Sequence, residues 1–208
     1  MTSSAGAIAA AASAALTGSL VVLPTDTVYG IGTRPDDAAA TAKLFEAKGR
    51  PRDLELPVLV PSRAAARGIA AFDERAESLT MRFWAGPLTI VLPRTATSRG
   101  WDLGGDPTTI GVRMPHDPLT LAVLALTGPL AVTSANRSGE RAPPMCEELQ
   151  ALFGETVDVY LCAQQPLEGA ASTVVDLTKD PFRVLRSGAV SEREIVDTLQ
   201  LSLDRPRG

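Results

Sequence analysis

Short apolar runs with a two-residue rhythm alternate along this chain with runs of helical rhythm. The strand-like runs are Gly18–Pro24, Leu56–Val60, Pro87–Leu92, Thr108–Met114, Leu130–Ser134, Val157–Leu161, Thr173–Leu177 and Arg183–Arg186. The helical runs carry start and stop signals. Asp36–Ala47 has Asp36 or Asp37 as N-cap, Ser62 opens a helix into Ala71, and Asp73 opens another ending near Trp84. Asp117–Leu126 is closed by Gly128 and Pro144–Phe153 by Gly154. Ser191 caps a last helix, with Glu194 three residues on as its capping-box partner. Met1–Leu20, rich in Ala and Ser, predicts a small-residue helix with Ile8, Ala12 and Ala15 on one face. The alternation predicts an α/β or α+β layered domain. Pro87–Leu92 and Thr108–Met114 follow one another without a helix, so the sheet is expected to be mixed.

Composition narrows the reading. A chain of 208 residues, 45% hydrophobic and 21% charged, is read as a single domain over 1–208 that buries its own core. The net charge of −4 argues against a protein that holds nucleic acid by bulk electrostatics. A local basic cleft remains compatible with it, because a cleft's field depends on arrangement. Met1–Leu20 has no Lys or Arg at its start, unlike a signal peptide, and no stretch reaches the ~18 apolar residues of a membrane span. The expected compartment is therefore the cytoplasm. Cys146 and Cys162 lack CxxC spacing, and with the lone His116 they make no zinc site. Reduced thiols are expected rather than a structural disulfide.

Four polar motifs fall at strand ends or on strands, where layered α/β proteins place their ligands. Pro24-Thr25-Asp26-Thr27-Val28-Tyr29-Gly30 follows the first strand; a turn closed by Gly30 is the plain alternative. Lys48-Gly49-Arg50-Pro51-Arg52 puts three cations within five residues, a phosphate-binding pattern. Lys48 alone would also suit a helix C-terminus, where cations meet the dipole. In Thr108–Met114, period-2 alternation puts Thr109, Gly111 and Arg113 on one face and Ile110, Val112 and Met114 on the other. An Arg among apolar neighbours needs an anionic partner, either a ligand or a protein carboxylate. Val132-Thr133-Ser134-Ala135-Asn136-Arg137-Ser138-Gly139 ends a strand in hydroxyls and an amide suited to phosphate or ribose. The chain has neither GxxxxGK[ST] nor a GxGxxG after a strand, and no serine–histidine–aspartate set; His116 reads as a turn residue.

These motifs, in this order, resemble the YrdC-like threonylcarbamoyl-AMP synthase family. The matching segments are VVLPTDTVYGIGT, LFEAKGRP, FWAGPLTIVLP, TIGVRMPHDP, LAVTSANRSGE, STVVDL and VLRSGAV, spanning about Gly18 to Val190. The resemblance implies a twisted mixed sheet with flanking helices and a large concave cleft. It implies synthesis of L-threonylcarbamoyladenylate from L-threonine, bicarbonate and ATP, with Mg2+ accompanying the ATP. A separate transferase complex would carry the product to adenosine 37 of ANN-decoding tRNAs, and a weak tRNA contact is left open. Carried over by position, Thr27, Arg113 and Ser172 would hold threonine. Lys48, Arg50, Thr109, Ser134, Asn136 and Arg186 would hold ATP, with Lys48 and Arg50 stabilising charge and no side chain acting as nucleophile or base.

The chain departs from the family pattern in four places. Arg52-Asp53-Leu54-Glu55-Leu56-Pro57 replaces an Asn-Pro or Lys-Pro approach to the next strand, and Val60-Pro61 stands where some members have a threonine-binding His. Thr133 replaces a Pro before Ser-Ala-Asn, and Arg186-Ser187-Gly188 replaces Arg-Pro-Gly. Two other functions fit the same motifs: an RNA-binding module of this fold without synthase activity, and a paralogous carbamoyl-adenylate enzyme of unknown substrate.

Overall fold

The computed structural model describes residues 4–203. Residues 1–3 and 204–208, the ends of the expected first helix and of the expected single domain, lie outside the described residues.

The elements run α1 (Ser4–Leu16), β1 (Val21–Leu23), β2 (Gly30–Thr33), α2 (Ala38–Lys48), β3 (Val58–Leu59), α3 (Arg63–Ile69), α4 (Glu74–Phe83), β4 (Leu88–Pro93), β5 (Thr109–Arg113), α5 (Pro118–Thr127), β6 (Leu130–Ser134), α6 (Cys146–Phe153), β7 (Val159–Tyr160), β8 (Thr173–Asp176), β9 (Arg183–Arg186) and α7 (Glu192–Leu203). Asp37, Ser62, Asp73 and Asp117 each cap a helix by accepting main-chain N–H groups, and Ser191 and Glu194 form the capping box. Gly49 ends α2 at φ 57, a left-handed conformation that favours glycine.

The strands form one sheet in the order β7-β1-β2-β6-β3-β5-β4-β8-β9. Parallel pairs (β1–β7, β3–β5, β4–β8) mix with antiparallel ones, as the missing crossover helix required. The sequence reading did not foresee β2. Its Gly-Ile-Gly-Thr run has little strand character, yet it is locked between β1 and β6. A Cβ on Gly32 would stand 2.5 Å from the Ala131 carbonyl oxygen, so glycine here permits close main-chain approach.

Strand alternation feeds two apolar layers. Val22, Ile31, Val58, Ile90, Ile110 and Val112 face a large core closed by α2, α3, α4, α6 and α7. Val21, Leu23, Leu59, Leu130 and Val132 face the other way, against α1 and α5. Those two helices cover the β1, β3 and β6 part of that second face. Over β4, β5 and β8 the same face is left uncovered by those helices and forms the wall of a cleft, lined by Thr89, Val91, Thr109, Gly111, Arg113, Val174 and Asp176. Among the described residues no helix is long and apolar enough to cross a membrane.

Candidate functional site

The cleft has a volume of about 810 Å³ and lies above the sheet, between the β1–β2 corner, the loop after α2, the loop after β6 and the segment before β8. Thr27, Arg50, Thr109, Arg113, Ser134, Asn136, Ser172 and Arg186 all line it. The strand reading of β5 holds: Thr109, Gly111 and Arg113 face the cleft, while Ile110 and Val112 are buried in the core.

Arg113 is almost wholly buried, and its guanidinium is held on three sides. Nε donates to the Gly86 carbonyl at 3.1 Å, Nη1 to Thr27 Oγ1 at 3.1 Å and Nη2 to Asp26 Oδ1 at 2.7 Å. A guanidinium has five N–H donors, so two remain. The sequence left open whether Arg113 meets a ligand or a protein carboxylate. The structure provides the carboxylate, Asp26, and keeps the side chain on the cleft wall. Asp26 Oδ1 also accepts the His116 main-chain N–H, which ties the end of β5 to the β1–β2 corner. Burial lowers the Arg113 pKa, Asp26 opposes that shift, and Arg186 adds to it.

Thr27 is 3% exposed, with its Oγ1 3.0 Å from Thr25 Oγ1. The Thr25 hydroxyl donates its one proton to the Val28 carbonyl. Thr27 must therefore be the donor of the Thr27–Thr25 bond, leaving its oxygen free to accept from Arg113.

Lys48 lies elsewhere than the phosphate-binding pattern implied. It is 1% exposed, and its Nζ donates to the carbonyl oxygens of Ser134 and Asn136, both at 2.5 Å, with Asn136 Oδ1 at 3.4 Å. Its ammonium sits beneath the loop after β6 and does not line the cleft. Burial, then the neighbouring Arg50, push its pKa down to about 8. Asn136 completes that loop by donating to the carbonyls of Arg137 and Glu140.

Arg50, beyond the α2 cap, faces the cleft. Nε donates to the Leu54 carbonyl at 3.0 Å and Nη2 to the Glu55 carbonyl at 2.9 Å. Across from it, Arg186 donates from Nε to the Ser172 carbonyl and from Nη2 to Ser172 Oγ, which also meets Thr89 Oγ1 at 3.1 Å. Among the described residues neither Arg50 nor Arg186 forms an ion pair. Burial lowers both pKa values, and Arg186 lowers that of Arg50 further. Arg50, Arg113 and Arg186 thus bring positive charge to this part of a cleft that Asp53, Asp106, Glu140, Glu168 and Asp176 also line.

Several charged residues at the site, Asp106, Arg141, Glu168, Asp176 and Lys179 among them, escaped the sequence reading, and two more pair with each other. Arg94 is buried, and its Nε bonds the Thr109 carbonyl at 2.5 Å while Nη1 bonds the Ser98 and Trp101 carbonyls. Glu55 lines the cleft 3.5 Å from Arg94. Burial pushes its carboxyl up to about 8, against the pull of Arg94. Nothing in local pattern marks either residue, since they meet only when the loop before β3 packs on the end of β4.

The expectation of reduced thiols is corrected. Cys146, at the start of α6, is bonded to Cys162, just after β7, with Cα atoms 5.6 Å apart. A 16-residue spacing with two elements between does not reveal that proximity.

Fold and cleft together define a class: a mixed-sheet α/β protein with an uncovered concave face on which Arg50, Arg113 and Arg186 converge. The chain belongs to the Sua5/YciO/YrdC family, whose model, described as "Telomere recombination", matches residues 13–188. A Mycobacterium tuberculosis (strain H37Rv) protein provisionally named a threonylcarbamoyl-AMP synthase is 43% identical over 193 residues, covering 92% of this chain and 88% of the relative. The threonylcarbamoyl-AMP synthase of Pyrococcus abyssi is 38% identical over 180 residues, covering 86% of this chain and 53% of that longer protein. The crystal structure of P. abyssi Sua5 complexed with L-threonine superposes with a TM-score of 0.83 at 35% identity, over 92% of this chain and 56% of that one.

Proposed function

We propose that this chain is a nucleotidyltransferase that makes L-threonylcarbamoyladenylate and pyrophosphate from L-threonine, bicarbonate and ATP. One observation carries the reading: the cleft brings a buried Arg113–Thr27 pair together with Arg50 and Arg186, two arginines without a carboxylate partner among the described residues. The relatives' names and the threonine-bound neighbour supply the substrates.

The chemistry asks for positioning more than for covalent catalysis. Threonine's amine condenses with bicarbonate to a carbamate, with loss of water, and a carbamate oxygen then attacks the α-phosphorus of ATP and displaces pyrophosphate. Arg113, with its two remaining donors, takes the threonine carboxylate beside Thr27. Arg50 and Arg186 neutralise phosphate charge as it moves toward pyrophosphate, with Ser134, Asn136 and Thr109 lining the nucleotide's path. Lys48 acts from below by fixing the carbonyls of the Ser134–Asn136 loop. Ser172 links Arg186 to the sheet. The concave cleft limits the access of water to a labile mixed anhydride.

Magnesium enters with the nucleotide. Among the described residues no group of three or more His, Cys, Asp or Glu could hold a metal, and Mg2+ bound through phosphate oxygens and water needs none. The product would pass, in the cytoplasm, to a transferase complex acting on adenosine 37 of ANN-decoding tRNAs.

The test is incubation with ATP, bicarbonate and a panel of amino acids, read as pyrophosphate release and by mass spectrometry. Release should require L-threonine and bicarbonate, with serine a poorer substrate. Equal release without an amino acid refutes the proposal.

A further inference from the structure

The segment 163–172 joins β7 to β8 along the cleft, and brings Leu167, Glu168, Gly169, Ala171 and Ser172 to its wall. It has almost no secondary structure of its own. What holds it is a short set of contacts, and they divide into two groups.

At the far end, Ser172 is tied to the sheet through Thr89 and Arg186. At the root, two anchors act on adjacent residues. The Cys146–Cys162 disulfide fixes Cys162 to α6, and the Tyr29 hydroxyl accepts the Ala163 main-chain N–H at 2.9 Å. Leu167 N–H then bonds the Pro144 carbonyl, just before α6. Between root and far end, Gly169 packs on Thr27 so closely that a Cβ there would lie 2.5 Å from the Thr27 carbonyl oxygen. The root anchors therefore decide how the segment sits against Thr27, and the far-end contacts decide how it sits against Arg186.

Tyr29 is unusual among the motif residues. Its ring is 1% exposed within the large core, so the rest of the protein fixes its hydroxyl firmly. Burial raises its pKa, against the Ala163 N–H bond, which lowers it. A Tyr reaching from the β1–β2 corner to a segment 134 residues away is a brace across the cleft.

We propose that Tyr29 is a positioning residue that, together with the Cys146–Cys162 disulfide, clamps the root of the 163–172 segment and so sets the Thr27 end of the cleft. The two anchors serve one joint, so loss of either is partly covered by the other, and their effects are coupled. The Thr27 wall of the site should loosen, while Arg186, held by Ser172, stays in place. The proposal rests on the functional reading above only in naming L-threonine as the occupant of the Thr27 end.

The experiment compares Tyr29→Phe with wild type, each oxidised and reduced with dithiothreitol, by hydrogen exchange of the 163–172 amides and by steady-state kinetics. Tyr160→Phe is the control. It also removes one tyrosine hydrogen bond to main chain, to the Gly154 carbonyl, but away from the segment. In Tyr29→Phe the 163–172 amides should exchange faster, and the KM for L-threonine should rise roughly three- to tenfold, the scale of one neutral hydrogen bond. The KM for ATP should stay within about twofold. Reduction alone should do less, and reduction of Tyr29→Phe should exceed the sum of the two. Unchanged exchange in Tyr29→Phe overturns the proposal, as does equal acceleration in Tyr160→Phe. So does a threonine KM that moves no more than that for ATP. If Tyr29→Phe fails to fold, reduction of the wild type must by itself accelerate exchange at the root, or the clamp is refuted. Exchange needs no substrate, so a protein inactive with threonine but with a loosened segment would sink the functional reading and leave the clamp standing.

Discussion

Replacing Lys48 by Met separates a cation that builds the site from one that touches phosphate. The substitution keeps the length and apolar stem of the side chain and removes its ammonium. That ammonium makes two 2.5 Å bonds to carbonyl oxygens and a longer one to Asn136 Oδ1, and no carboxylate is among its partners. Hydrogen bonds to a charged group contribute roughly 1.5–3 kcal/mol each, and the two carbonyls left behind would be buried. Against this stands the cost of burying an ammonium, so the net loss is about 2–4 kcal/mol. A domain of this size loses about 2–4 °C per kcal/mol, which gives a fall in Tm on the order of 5–15 °C. Scanning calorimetry of the free protein measures it directly. ATP affinity should also fall, because the Ser134–Asn136 loop loses its support. A Lys48→Met protein that melts like wild type and has lost only ATP binding would refute the reasoning and put the ammonium on phosphate.

Arg50→Ala should behave oppositely: ATP binding weaker by roughly 1.5–3 kcal/mol by titration calorimetry, with Tm almost unchanged, since Arg50 is only part-buried and the two loop carbonyls it bonds can turn to water. Arg113→Lys should raise the threonine KM at least about tenfold with little change for ATP, because one ammonium cannot serve Gly86, Thr27, Asp26 and a substrate carboxylate together. A wild-type threonine KM in that variant would remove Arg113 from the substrate site. Glu55 predicts a pH effect. Its folded pKa of about 8 lies above the ordinary 4.5, so the folded protein keeps a proton that the unfolded chain releases. Its stabilising contribution is full below pH 4.5 and is lost as pH rises through 8. Glu55→Gln should therefore gain stability over wild type, by a few kcal/mol, between pH 5 and pH 9 in urea denaturation.

The sequence alone determined what depends on near neighbours. Helix boundaries were legible because their caps act within one turn: Asp37, Ser62, Asp73, Asp117 and Ser191 bond the amides that follow them. The two faces of β5 were legible because the pleat has a period of two, so Arg113 had to share a side with Thr109. The motifs also marked most of the cleft lining. Tertiary structure decided whatever depends on distant partners. Lys48 ends α2 either way. Only the return of β6, 86 residues later, puts carbonyls around its ammonium instead of ligand. Arg113 needed an anion by any reading, and the β1–β2 corner provides it as Asp26, 87 residues away. β2 is a strand because β1 and β6 flank it, with glycines chosen for close approach rather than for strand propensity. The Cys146–Cys162 bond and the Tyr29 brace likewise arise where α6, β7 and the β1–β2 corner converge. A local pattern records the rhythm of one element, whereas the partners of a buried charge or thiol are set by packing between elements far apart in the chain.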